Sequence, residues 1–381
     1  MGFAARPVGA ALFGHYGDRI GRKAALIATL LLMGIATAAI GVIPGADSIG
    51  LWAPTLLVIM RLLQGIGVGG EWSGSILLSM EWGDQRRRGL MASFPQMGVP
   101  IGLALSALML KIFSTVSGDS FETWGWRIPF LLSLVLIAVG LWIRLSILET
   151  PIFAKAIEEQ RLEPVPVVES FRRYPKEIIL SAFSRMSEQA PFYIFTAFML
   201  TYITEKGYSS DFALTATICA ALLSLFSLPF FGHLSDSVGR KRIYILGAVI
   251  VGIGIYPYFA AVNSGVTALV FIAFVLALVP HDMQYGPQAA MIAESFSTNL
   301  RYSGAGLGYQ LASVIAGGPA PLLATWLLEE FGSVYAIAGY VTLCSVLTIV
   351  AVVLMPDRSR IDITQDSSYT NERRVAVAEA T

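Results

Sequence analysis

Apolar residues fill this chain in long blocks, separated by short turns that collect the glycines and the charges. A helix crossing a bilayer needs roughly 20 mostly apolar residues. Ten blocks meet that length: 24–43, 52–80, 90–112, 127–147, 176–204, 212–234, 242–262, 266–291, 302–328 and 333–355. An eleventh, at 2–14, is too short to span and contains Arg6. It does not read as a signal peptide, because no basic leader or small-residue cleavage site accompanies it. The pattern predicts an all-α polytopic membrane protein.

One turn occurs twice. Gly14-His15-Tyr16-Gly17-Asp18-Arg19-Ile20-Gly21-Arg22-Lys23 returns 218 positions later as Gly232-His233-Leu234-Ser235-Asp236-Ser237-Val238-Gly239-Arg240-Lys241, with six of ten positions identical. Each copy joins two apolar blocks, so the chain reads as a duplication. The second copy follows two whole blocks, the first only the short one. If the halves match, the first half lacks one helix and part of the next. The division expected is a helical bundle at 1–148, a linker at 149–175, a second bundle at 176–355 and a tail at 356–381. The linker, with Glu158-Glu159, Pro164, Pro166 and Arg172-Arg173, reads as solvated, and the polar tail as disordered.

Composition agrees with this reading. Charged residues are 14% of the 381, where a soluble chain has about a quarter, and mean hydropathy is +0.67. Net charge is zero, which argues against a nucleic-acid partner. Cys219 and Cys344 lie alone in apolar blocks and read as small buried hydrophobes, and three histidines make no metal centre. Twenty of the 26 basic residues fall in alternate turns, the linker and the tail, against three in the opposite turns. Basic residues favour the cytoplasmic side, so both repeated turns and the C-terminus are expected there.

Ionisable groups at membrane depth are costly and usually functional. In the block 52–80, Arg61, Gln64, Glu71 and Ser75 share an arc of about 80° at 100° per residue. In 176–204, Ser181, Arg185, Glu188, Gln189 and Thr196 share about 100°, with Pro191 beside them as a kink. In 266–291, His281, Gln284, Tyr285 and Gln288 line one side. Three stripes suggest a polar cavity between the halves, with arginines drawing an anion and a carboxylate taking up a proton. The alternative is internal pairing that locks helices, natural for Arg185 and Glu188 at a spacing of three. His281 alone could equally be a satisfied interior histidine. The run Gly65-Ile66-Gly67-Val68-Gly69-Gly70 matches a dinucleotide-binding pattern, but it sits mid-block with no strand before it. Gly65 and Gly69 there suit close helix packing. No Walker-type phosphate loop occurs, no cofactor is expected, and no nucleophile–base set points to an enzyme. Uphill work must then draw on an ion gradient. The repeated turns could form a charged latch, since topology explains their lysines and arginines but not their repeated glycines and aspartates.

Gly14–Lys23 and its repeat resemble the signature loop of the major facilitator superfamily. More closely, Ala5-Arg6-Pro7-Val8-Gly9, Arg61-Leu62-Leu63-Gln64-Gly65, Gly69-Gly70-Glu71-Trp72, Ser93-Phe94-Pro95-Gln96, Trp124-Gly125-Trp126-Arg127-Ile128-Pro129-Phe130 and Arg301-Tyr302-Ser303-Gly304 resemble its metabolite:proton symporter family. That family carries α-ketoglutarate, citrate, shikimate, proline and betaine. The resemblance implies two pseudo-symmetric six-helix bundles, here with the first helix and part of the second missing. It also implies proton-coupled uptake of a small carboxylate-bearing or zwitterionic metabolite across a bacterial inner membrane, by a monomer whose partners are the metabolite, protons and the bilayer. The substrate and proton pathway is expected among Arg61, Gln64, Glu71, Gln96, Arg185, Glu188, Gln189, His281, Gln288 and Gln310, with Arg61 matching the fourth-helix arginine linked to proton coupling. The gating set is Gly14, Asp18, Arg19, Gly21, Arg22, Gly232, Asp236, Gly239 and Arg240. The alternatives are a sugar or drug porter of the same superfamily, or a non-transporting sensor or inactive remnant.

Overall fold

The computed structural model describes residues 2–150 and 164–360. All ten apolar blocks are helical, and among the described residues no strand occurs. The helices are α1 (Gly2–Gly17), α2 (Arg22–Val42), α3 (Trp52–Trp82), α4 (Arg88–Gly125), α5 (Arg127–Ser146), and the short α6 (Pro166–Arg173). The second half holds α7 (175–205), α8 (Ser210–Val238), α9 (Arg240–Val262), α10 (Thr267–Ala293), α11 (Thr298–Phe331) and α12 (Val334–Leu354). Nine of them are long and apolar enough to cross a membrane among the described residues. α7 falls outside that count, its apolar run diluted by Arg185, Glu188 and Gln189; it breaks at Arg185 and passes through a wide turn at Ile194–Phe198, just after Pro191. Proline also explains two other bends. Pro100 and Pro280 have no N–H for the carbonyls four residues back, and α4 and α10 deviate at Met97 and Ala277.

The two halves pack alike. α1 lies on α3, and α2 on α3 and α5; in the second half α8 lies on α10, and α9 on α10 and α12. Across the halves, α4 meets α8 and α10, while α11 meets α1 and α3. The symmetry fails at one place. α7 packs against α11 and α12, and its apolar residues Ile194, Phe198 and Ile203 join the core of the second half. The corresponding seat against α4 and α5 holds no helix among the described residues. An open cleft of about 560 Å³ runs there, lined by Ser75 and Ser79 of α3, Pro95 of α4, and Gly140 and Arg144 of α5. In the most apolar 18-residue window of α12, 44% of residues are buried; in that of α5 none are.

α1 and α3 touch backbone to backbone. A Cβ added at Gly69 would land on the Arg6 carbonyl oxygen, and one at Gly65 on the Gly2 carbonyl oxygen. The glycine run is therefore a helix-packing surface, as its position inside an apolar block implies. Gly69→Val should prevent α1 from docking, and Gly69→Ala should cost about 1–3 kcal/mol as an overpacked contact. Thermal melting in detergent checks this; an unshifted Gly69→Val transition would contradict it.

Two segments differ from the sequence reading. Residues 166–173 form a helix rather than bare linker: Ser170 is buried and its hydroxyl donates to the Leu300 carbonyl at 3.5 Å, while Val167 packs against the buried cluster that includes Ala10 and Tyr174. The start of the tail is also docked, with the Arg358 side chain buried and donating to the Ser295 carbonyl at 2.6 Å. The rest of the linker, 151–163, and of the tail, 361–381, lies outside the described residues.

Candidate functional site

The repeated turns build one device twice. Asp18 opens the turn after α1, and its Oδ2 accepts from the Ser303 N–H at 3.0 Å and the Ser303 hydroxyl at 2.8 Å, in the first turn of the α-helical part of α11, which begins at Arg301 after a short 3₁₀ start. Asp236 accepts from the N–H groups of Gly89 at 2.8 Å and Leu90 at 3.0 Å, in the first turn of α4. Each carboxylate satisfies orphan donors at the positive end of a helix in the opposite half. The arginine four residues on then reaches a glutamate of its own half. Arg22 is 3.4 Å from Glu81 at the end of α3, and Arg240 is 2.6 Å from Glu294 after α10. Each glutamate in turn faces the arginine that opens the opposite helix: Glu81 and Arg301 at 3.9 Å, Glu294 and Arg88 at 3.1 Å. All four of these arginines and both glutamates are buried.

The glycines follow from geometry. Gly21 and Gly239 have φ of +127° and +108°, which side chains disfavour, and they start α2 and α9. A Cβ on Gly14 would sit 2.9 Å from the Ser303 Cα, and one on Gly232 2.8 Å from the Ser93 Cβ, so both mark where the halves touch. The repeated lysines also match: Lys23 donates to the Leu145 carbonyl near the end of α5 at 2.9 Å, and Lys241 to that of Val353 near the end of α12 at 3.2 Å. Arg19 is different. It is exposed and lies 3.3 Å from the His15 ring, and its counterpart in the repeat is Ser237.

Deeper in, the seam between the halves is polar and aromatic. Trp72 of α3 stacks on Tyr309 of α11, rings 3.6 Å apart, and its indole N–H donates to Gln96 of α4 at 3.3 Å. Gln96 donates in turn to the Tyr285 carbonyl of α10. Gln310 reaches the carbonyls of Val68 and Gly69 at 3.4 and 3.5 Å. On the far side of Tyr309 lies Arg185, its guanidinium 3.3 Å from the ring centroid. Arg185 donates to the Tyr309 carbonyl at 2.6 Å, to Gln288 at 3.1 Å and to Glu188 at 3.2 Å. Gln288 also donates to Glu188 at 3.1 Å and to the Tyr244 hydroxyl at 2.6 Å. His281 lies 3.4 Å from Glu188, and Gln189 donates to Ser313 at 3.0 Å.

The stripes on α7 and α10 therefore meet, and Gln96 and Gln310 connect them to the first half. The stripe on α3 goes elsewhere. Arg61 is exposed and donates to Gln64 at 3.1 Å, and Gln64 donates to Thr37 of α2 at 2.7 Å. Glu71 pairs with Arg144 of α5 and accepts from Thr29 of α2 at 2.6 Å. That face of α3 looks into its own half and its cleft; the neighbouring face, with Gly69 and Trp72, meets the other half. The structure adds residues the stripes omitted: Glu81, Arg88, Glu294 and Arg301 in the latches, Trp72 and Tyr309 at the seam, and Asp282 beside His281. For the latch the signal existed, because Glu81 and Arg88 stand seven apart, as do Glu294 and Arg301.

The sequence model of the Major Facilitator Superfamily matches residues 2–223 and again 178–368, two overlapping matches. The chain belongs to the Major Facilitator Superfamily. Among curated members it is 39% identical to the shikimate transporter of Escherichia coli K12 over 366 residues, covering 94% of this chain and 84% of the relative. It is 36% identical to the inner membrane metabolite transport protein YhjE of the same strain, covering 93% and 82%. The proline/betaine transporter of that strain is 32% identical, covering 93% and 73%. A solved structure of the proton:xylose symporter XylE superposes with a TM-score of 0.72 at 20% identity, covering 93% of this chain and 83% of that one. These relatives are transporters, not enzymes, and the chain is a multi-pass membrane transporter of this superfamily.

The first latch of this superfamily member carries a pH dependence. Burial raises the Asp18 pKa from 3.8 to about 6, against the pull of Arg22 and of Ser303. In an open latch the carboxylate is hydrated and returns toward 3.8. A group whose pKa is higher closed than open binds a proton on closing. Closure is thus favoured as pH falls from about 6 toward 4, by up to about 3 kcal/mol, and that gain is lost as pH rises through 6. Spin labels at the exposed positions Ile20 and Ser237 should draw closer at mildly acid pH, and Asp18→Asn should flatten the response. A pH response that survives in Asp18→Asn would remove Asp18 as its source.

Proposed function

We propose that this transporter takes up a small carboxylate-bearing or zwitterionic metabolite in symport with protons, by alternating access in a bacterial inner membrane. In this reading the latch end and the C-terminus are cytoplasmic, where most basic residues collect. Residues of the seam, Gln96, Arg185, Glu188, Gln189, His281, Gln288 and Gln310, serve substrate and proton, and the two latches gate the cytoplasmic side. The observation that carries the reading is Arg185: a fixed cation at membrane depth, held in a fork between Glu188, Gln288 and an aromatic stack that bridges the halves. A planar guanidinium so placed suits a carboxylate better than a neutral sugar. The relatives named for shikimate, proline and betaine support that class. Uptake of labelled shikimate, dicarboxylates and betaine in knockout cells, with and without an uncoupler, tests it. Uptake indifferent to the uncoupler would remove proton symport.

The open cleft beside α5 supports one further part of the proposal. We infer that another apolar helix sits there in the working transporter, offering polar groups to Arg61 and to the Glu71–Arg144 pair, as α7 does in the second half. Uptake by this chain with and without a helix added in that seat is the test. Equal uptake by both would show that the seat need not be filled, and no uptake by either would favour a non-transporting role.

A further inference from the structure

We propose that His281 and Asp282 of α10, with Glu188 of α7, form the proton-binding element of this transporter, held in place by Ser224 and Ser227 of α8. The inference rests on the symport reading above and names the groups that would carry its proton.

Hydrogen bonding supplies the first argument. The His281 ring lies between two carboxylates, Nδ1 2.9 Å from Asp282 Oδ1 and Nε2 3.4 Å from Glu188 Oε1. A neutral imidazole has one N–H and one lone pair, so it would aim that lone pair at one of the two oxygens. Both contacts become attractive only when the ring holds a second proton or one carboxyl is protonated. The arrangement is therefore one that an added proton stabilises.

The second argument is charge. His281 meets Glu188 from α7, Asp282 from its own helix and the Tyr285 ring, centroids 5.1 Å apart; Arg185 joins through Glu188, Tyr244 of α9 through Gln288 and Tyr309 of α11 through Tyr285. α8 contributes hydroxyls, with Ser224 donating to Asp282 Oδ2 at 2.6 Å and Ser227 donating to the same oxygen. α4 contributes the neutral Gln96. The set holds two carboxylates and one guanidinium, and His281, Asp282, Glu188 and Arg185 are all buried. An uncompensated charge at this depth is costly, and one proton brings the set to neutrality.

The third is connection to the anion site. Glu188 offers Oε1 to His281 and Oε2 to Arg185 and Gln288. A substrate carboxylate that takes Arg185 leaves the negative charge of Glu188 uncompensated, which strengthens the hold of His281 and Asp282 on the proton. Departure of the anion returns Arg185 to Glu188 and lets the proton go to water. Anion and proton then load and leave together, as symport requires. Side chains one apart on a helix normally diverge. Here His281 and Asp282 meet, with Ser224 and Ser227 fixing the carboxylate from the facing helix.

The test uses His281→Gln and Asp282→Asn in the full chain, in membrane vesicles and as purified protein. Counterflow of labelled substrate needs no net proton movement and reads substrate binding separately, so in both variants accumulation should fall much further than counterflow. Uphill accumulation should fall, by about 50-fold for each 100 mV of driving force. Infrared difference spectra of purified protein across a pH titration should show imidazole and carboxyl bands that each variant removes. If either variant misfolds, Ser227→Ala should shift the same titration. Parent-like, uncoupler-sensitive accumulation in the variants would overturn the assignment, as would accumulation that follows a sodium gradient, or spectra lacking those bands. Absence of counterflow by the parent for every substrate, with the bands intact, would sink the symport reading and leave the proton site standing.

Discussion

Arg185→Ala is expected to abolish uptake and to lower the melting transition, while Arg185→Lys keeps the fold and still loses most uptake. The alanine variant strands Glu188, which is buried and would keep only Gln288 and His281 around it. Breaking a buried pair from one side costs about 3–5 kcal/mol, because the remaining charge is uncompensated. Lysine restores the charge but not the fork. Arg185 uses Nε toward Glu188 and Gln288 and Nη1 toward the Tyr309 carbonyl, with its plane over the Tyr309 ring. An ammonium is a compact point charge and cannot meet those directions at once. Melting in detergent should therefore separate alanine from lysine, whereas uptake should fall in both, by about tenfold or more for lysine if one charge-assisted hydrogen bond is lost. Uptake by Arg185→Lys at the parental rate would reduce Arg185 to a counter-charge for Glu188.

What could be read in the sequence follows from where each constraint acts. The bilayer forces spanning backbone to bond within itself, so apolar length alone located the helices, and even Gly65 and Gly69 declared their packing role. Periodicity was weaker. It groups Arg61, Gln64 and Glu71 on one face but does not say what that face meets, and Glu71 turned to Arg144 while its neighbour Trp72 turned to the other half. The latch partners were hidden for a similar reason: Glu81 and Arg301 are 220 positions apart in the chain and 3.9 Å apart in space. Their doubled seven-residue spacing was present, but nothing local gave it meaning. Asp282 was masked by His281, since neighbours on a helix are assigned to different faces. Residues 166–173 and 356–360 were misread because polar composition signals exposure, while Ser170 and Arg358 are buried by partners distant in sequence.

Glu294→Gln should leave the transporter open at the latch end. The carboxylate lies 2.6 Å from Arg240 and 3.1 Å from Arg88, and burial pushes its pKa up against the pull of those two guanidiniums. Neutralising it leaves both arginines buried with less counter-charge, a loss of about 3–5 kcal/mol that applies only while the latch is closed. In the open form the same groups are hydrated. A shift of that size moves the open-to-closed ratio by more than about a hundredfold, so the Ile20–Ser237 label distance should lengthen and uptake should stall. Glu81→Gln should do the same through Arg22 and Arg301. The double variant decides whether the repeat is one gate or two local ties. If both latches resist a single movement of the halves, opening by the first substitution leaves the second with nothing to lose, and the combined effect falls far short of additive. Fully additive shifts would mean that each latch holds only its own corner, and the gating reading of the repeat would fail.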